Sequence, residues 1–224
     1  MFYGAAQFSR DLDLAILADP DNLSRLREAL RELKAEPVAV PPLEERWLHA
    51  GHAAHFRCKR EDIANLRIDL MSKMRGVEDF DLLWSRRTTI ETSGVQIDLL
   101  SLWALVQAKK TKRDKDWPMI RRLVERDFLE SKDDPSPDQP AFWLLELRSP
   151  ELLIEVSQRF PAIASELTIR RPLLKHAIQS DVDGLQSGLD AEEKTERASD
   201  REYWLPLRRQ MEEIRRTRSR TSLH

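Results

Sequence analysis

Near the start of the chain, two aspartates stand two residues apart at the head of an apolar run, RDLDLAILA at residues 10–18. Polar and apolar residues alternate first and the apolar ones then become continuous, the pattern of a β-strand whose leading half reaches solvent. Residues two apart on a strand project from the same face with Cα atoms roughly 6.5 to 7 Å apart, so Asp11 and Asp13 sit side by side. Like charges held this close raise one another's pKa unless something neutralises them, and a bound Mg²⁺ is a common remedy. Any fold for this chain must therefore present an acidic strand end while burying the apolar residues that follow it.

The rest of the chain supplies partners for that strand. Residues 19–22 (Asp-Pro-Asn-rich DPDN) end it, and Leu23, Leu26, Leu30 and Leu33 then recur at three and four residues, predicting an amphipathic helix to about Lys34. Short strands are expected at 38–40 and 55–58, and a stronger one at 65–71 with Leu66, Ile68 and Leu70 on one face and Asp69 on the other. Residues 88–91 and 95–100 flank Ser93-Gly94 and read as a hairpin. Two helices follow, one over about 102–111 and one capped by Asp116 with Ile120, Leu123, Val124 and Phe128 on one face. The polar, proline-rich segment 131–140 reads as a linker dividing a core, 1–130, from a helical region, 141–224. In that region Ser149 and Pro150 open a helix, residues 180–201 are polar and weakly patterned, and a last helix spans about 203–216 before an arginine-rich end whose plainest reading is a solvated terminus. Trp84, Trp103, Trp117, Trp143 and Trp204 fall among apolar neighbours and read as core anchors. The expected fold class is α+β, a mixed sheet flanked by helices with a C-terminal helical appendage.

Composition narrows the functions. With 37 basic against 39 acidic residues the net charge is -2, so binding to nucleic acid or an anionic surface must be local. One cysteine, Cys58, excludes an internal disulfide framework and a thiolate zinc cluster. No apolar run approaches the roughly 20 residues of a membrane span, and no secretory leader is read, so a cytoplasmic location without a membrane partner is expected. His49, His52 and His55 are three apart, yet Gly51 and the strand pattern at 55–58 favour surface or polar-network histidines over zinc ligands. No Gly-x-Ser-x-Gly elbow is present.

A third carboxylate on a neighbouring strand would complete a site able to hold two metals roughly 3.5 to 4 Å apart. Asp69, in RIDL at 67–70, and Asp98, in QIDL at 96–99, share the required hydrophobic-Asp-hydrophobic pattern, and periodicity does not choose between them. The chosen residue would act as second-metal ligand or general base.

The stretch GAAQFSRDLDL at 4–14 resembles the Gly-x-x-Arg-x-Ser/Thr-x-Asp-hydrophobic-Asp segment of minimal nucleotidyltransferases, including AbiEii-type toxins. Downstream, LVQAKKTKRDKD at 105–116 resembles their lysine-bearing helix and the Arg-x-Lys-Asp sequence after it, so the likeness spans about residues 3–130. It implies Asp69 rather than Asp98 as third carboxylate, with Asp11, Asp13 and Asp69 holding Mg²⁺ or Mn²⁺. It also implies a nucleoside triphosphate substrate, with Gly4, Ser9, Lys109, Arg113 and Lys115 about its phosphates. The implied reaction is transfer of a nucleoside monophosphate to a hydroxyl acceptor, RNA (notably tRNA) or protein, and for a toxin-type member an antitoxin partner. Two positions depart from the pattern. Gln7 replaces the usual arginine, and the Gly-Gly or Gly-Ser phosphate turn that precedes the aspartate pair is not in the sequence. The alternative expectation is therefore a shortened, inactive module that keeps the fold for binding.

Overall fold

The computed structural model describes Tyr3 and residues 11–221, with side chains described through Thr217. The chain forms two compact units, one of Phe8–Ala104 with Glu202–His224 and one of Met1–Gln7 with Leu105–Arg201. Its elements are of mixed α and β type, with a small mixed sheet and one long final helix.

In the first unit the order is β1 (Asp11–Ala15), α1 (Pro20–Glu32), β2 (Ala35–Pro37), α2 (Glu45–His49), β3 (Ala54–Cys58), β4 (Arg67–Met71), α3 (Phe80–Ser85), β5 (Thr88–Thr92) and β6 (Val95–Leu99). Then α4 (Leu102–Lys109) crosses into the second unit, which continues with α5 (Asp116–Ser131), α6 (Gln139–Glu146), α7 (Pro150–Arg159), α8 (Pro161–Leu167) and α9 (Leu174–Ile178). The last helix, α10 (Val182–Thr221), has residues in both units.

Four strands form one sheet in the order β1-β4-β3-β2. β1 runs parallel to β4, and the β4/β3 and β3/β2 pairs are antiparallel. Alternation sends Ile68 and Leu70 of β4, and Ala54, Phe56 and Cys58 of β3, into a core shared with Ile16 and with Leu23 and Leu30 of α1. Each large apolar side chain so buried contributes about 1.5 to 3 kcal/mol. Asp19 caps α1, its carboxylate accepting the Asn22 N–H at 2.8 Å, and Pro20 follows at the first turn. The opposite face carries Asp11, Asp13, Arg67, Asp69, His55 and Arg57, with Ala15 and Met71 at one end.

β5 and β6 make a separate two-stranded ribbon. Ser93 (φ 52°) and Gly94 (φ 75°) both take the left-handed backbone that a tight two-residue hairpin turn demands.

Several expectations are corrected. The strand expected at 38–40 is replaced by β2 at Ala35–Pro37, because Lys34 (φ 47°) turns the chain sharply out of α1; Val38 still donates to the His55 carbonyl at 3.0 Å. Residues 180–201 are not weakly structured but form most of the first half of α10. Leu185 and Leu189, four apart, are buried there, and the Asp181 carboxylate accepts the Gly184 N–H at 2.9 Å at the helix start. Asp116 is no exposed cap: it is 1% exposed. Trp84 is 48% exposed, stacked on Phe80 and beneath Arg87, whereas Trp117 and Trp143 are buried.

Candidate functional site

Strand register decides what the acidic residues can do together. In the parallel β1/β4 pair, Asp13 stands opposite Asp69 and Asp11 opposite Arg67. Neighbouring strands lie about 4.8 Å apart and directly paired residues project to the same side, so all three aspartates share one face. The antiparallel β3/β4 register adds His55 opposite Asp69 and Arg57 opposite Arg67. The charged face thus runs from carboxylates on the β1 edge to cations on β4 and β3.

Asp11 and Asp13 are exposed. Asp69 is not: its side chain is 13% exposed and its Oδ1 accepts from Arg67 Nε at 2.8 Å and lies 2.8 Å from His55 Nδ1. Arg67 Nη2 also lies 3.2 Å from His55 Nδ1. One ring nitrogen cannot donate to a carboxylate and accept from a guanidinium at once. A lone pair 2.8 Å from a carboxylate oxygen would be repulsive, so Nδ1–H donating to Asp69 is the consistent assignment. Burial by itself raises the Asp69 carboxyl, but the Arg67 and His55 hydrogen bonds and charges outweigh it and hold the group below the usual carboxylate range. The Arg67 guanidinium is pushed up, first by its bond to Asp69 and also by the charges of Asp69, Asp11 and Asp13. Arg67 is therefore the common counter-ion of the three aspartates.

Among the described residues no group of three or more His, Cys, Asp or Glu converges as a ready metal cage. The donors are nonetheless of the type that hard cations take, carboxylate oxygens on two adjacent strands. Asp98 lies elsewhere, on β6 of the ribbon opposite Thr89, where it accepts from Thr89 Oγ1 at 2.6 Å and Arg87 Nε at 2.9 Å. Those bonds, Thr89 first, hold its carboxyl below the ordinary range.

Lys109 ends α4, and Arg113 and Lys115 lie in the turn before α5, all in the helical unit. That turn is cross-braced. Asp116 Oδ2 accepts from the Thr111 hydroxyl and from Arg113 Nε at 2.7 Å, while the Trp117 indole donates to the Thr111 carbonyl at 2.8 Å. Lys112 N–H donates to the buried Asp200 carboxylate at 3.0 Å, and Arg197 pairs with Asp114. Buried Glu146 takes Lys110 Nζ at 2.8 Å and Gln107 at 2.8 Å. Lys109 and Lys115 form no ion pair among the described residues. Gly4 and Ser9 lie outside the described residues.

Arg67 and His55 are site residues that sequence reasoning passed over. Arg67 was legible, since alternation through 65–71 puts it on the Asp69 face. The role of His55 depends on a strand register that a single sequence does not reveal.

No helix among the described residues is long and apolar enough to cross a membrane. No protein-family model matches the chain, and searches of curated proteins and of solved structures gave no significant match.

Proposed function

We propose that this chain is a metal-dependent nucleotidyltransferase of the minimal, polymerase-beta-like type, moving a nucleoside monophosphate from a nucleoside triphosphate to a hydroxyl acceptor. The observation that carries the reading is the Asp13–Asp69 register, with Asp11 two residues earlier on the same face. Asp11, Asp13 and Asp69 would hold Mg²⁺ or Mn²⁺, which when bound supplies Lewis-acid stabilisation of the phosphates and lowers the pKa of a coordinated hydroxyl. The side chains do the rest. Asp11 and Asp13, exposed and acceptor-only, anchor the cations; Asp69, fixed by Arg67 and His55, orients the acceptor hydroxyl and accepts its proton. Arg67 offsets the repulsion among the three carboxylates.

A second reading, a nucleotide-binding module without turnover, is favoured by one observation: Asp69 Oδ1 is already engaged by two side-chain partners, Arg67 and His55. Incubation with Mg²⁺, each labelled triphosphate and total RNA or protein separates the two. Label transfer by the wild type, lost in Asp11→Asn and Asp13→Asn, supports the enzyme. Triphosphate binding without transfer supports the module, and neither binding nor transfer removes both.

A further inference from the structure

The end of α10 carries a second concentration of charge that the carboxylate face does not use. Across residues 201–220 the sequence has seven arginines against three glutamates, in a chain whose net charge is -2. Within the first unit, Arg208, Arg209, Arg215 and Arg216 are exposed, and among the described residues none of them makes an ion pair or hydrogen bond. Most other arginines of that unit are committed: Arg46 to Glu44, Arg60 to Asp62, Arg86 to Glu78 and Arg87 to Asp98. Glu212 and Glu213 stand between the two pairs and draw none of them into a salt bridge among the described residues.

Helix geometry turns these residues into a regular array. Arg208 and Arg215 are seven apart, as are Arg209 and Arg216, so each pair stacks on one side of the helix about 10.5 Å apart. Adjacent arginines are splayed by about 100°, which makes two parallel rows of two. The opposite side of the helix is occupied: Leu207 is buried, Gln210 bonds the His52 ring at 2.8 Å, and the Tyr203 hydroxyl lies 2.6 Å from where a Cβ on Gly51 would stand. A membrane-lying helix needs a free apolar face, and this one has given its apolar face to the protein. What remains is two rows of point charges with a spacing that spans several phosphates of a nucleic-acid backbone.

We propose that this arginine ridge is a nucleic-acid-binding surface that grips the phosphate backbone without reading sequence. It does so whether or not the carboxylate face transfers nucleotides.

The test uses the full chain and a fluorescein-labelled RNA hairpin with a single-stranded 3′ tail, without nucleotide or divalent metal, titrated by anisotropy across a salt series. The variant R208Q/R209Q/R215Q/R216Q is expected to weaken binding at low salt at least about 10-fold and to flatten the log Kd against log salt slope by about 2 to 4. The lysine version at the same four positions is expected to restore most of both, and Arg25→Gln with Arg31→Gln on α1 to change neither. Asp11→Ala with Asp13→Ala must still bind RNA, so loss of transfer and loss of RNA binding are read separately. Unchanged affinity and slope in the quadruple glutamine variant, with an unchanged circular dichroism spectrum, overturns the proposal. So does equal failure of the lysine version, or preference of the wild type for vesicles with anionic lipid over RNA.

Discussion

Two charged regions of this protein are built on opposite plans. On the β1/β4 face, Asp11 and Asp13 are exposed, and Arg67 bonds Asp69 while also feeling the charges of Asp11 and Asp13. In the α4/α5 turn, Lys110, Lys112, Arg113, Asp114 and Asp116 are each tied to a partner, two of the receiving carboxylates, Glu146 and Asp200, being buried. These bonds brace the turn, although Lys109 and Lys115 beside them form no ion pair among the described residues. The open face instead sets carboxylates on two adjacent strands beside one another, so charge density alone does not distinguish a braced turn from an accessible acidic face.

The contrast can be broken at either region. The largest effect is expected from Glu146→Ala, which removes a buried carboxylate from Lys110 and Gln107 and should cost about 3 to 5 kcal/mol in urea unfolding. A loss under 1 kcal/mol would show that the turn is not held by this network. Next, Asp13→Ala should lower nucleotide transfer at least about 100-fold, equivalent to about 2.7 kcal/mol, while stability stays within about 0.5 kcal/mol of wild type. A variant that is unstable instead would make the acidic face structural. Smaller again, Thr111→Val deletes the hydroxyl that donates to Asp116 and accepts from the Arg113 N–H, and thermal unfolding should report about 1 to 2 kcal/mol of lost stability.

The smallest effect belongs to Asp98. Its folded carboxyl is depressed, so its contribution is present above the unfolded value of about 4 and is lost as pH falls through the folded value. Asp98→Asn should therefore leave transfer unchanged and make the acid limb of a Tm-against-pH curve slightly shallower. Reduced transfer in that variant would reopen its claim to be the third carboxylate.

How much of this was legible depended on the range of the physics. Alternation through residues 65–71 is local and placed Asp69 away from the core correctly, and leucine spacing likewise found α1; Arg67, on the same face as Asp69, was passed over. Register between β1 and β4 is long-range, and with Asp69 and Asp98 in the same local pattern no periodicity could say which meets Asp13. The first half of the helix at 182–221 escaped notice because only Leu185 and Leu189 are buried apolar residues there, other contacts being pairs such as Arg197 with Glu193, 2.7 Å apart. Asp116 carries the composition of a cap, and its burial against the neighbouring Thr111 and Arg113 depends on a turn geometry that residue type alone does not give.

The central claim is that Asp11, Asp13 and Asp69 can share a cation. A crystal of the protein soaked with Mn²⁺ and a non-hydrolysable triphosphate tests it most directly, through the manganese anomalous signal. The predicted result is a peak bounded by oxygens of all three aspartates, with Asp69 released from at least one of Arg67 and His55. A peak bound elsewhere, or Asp69 still closed on both partners with no manganese beside Asp13, would contradict it.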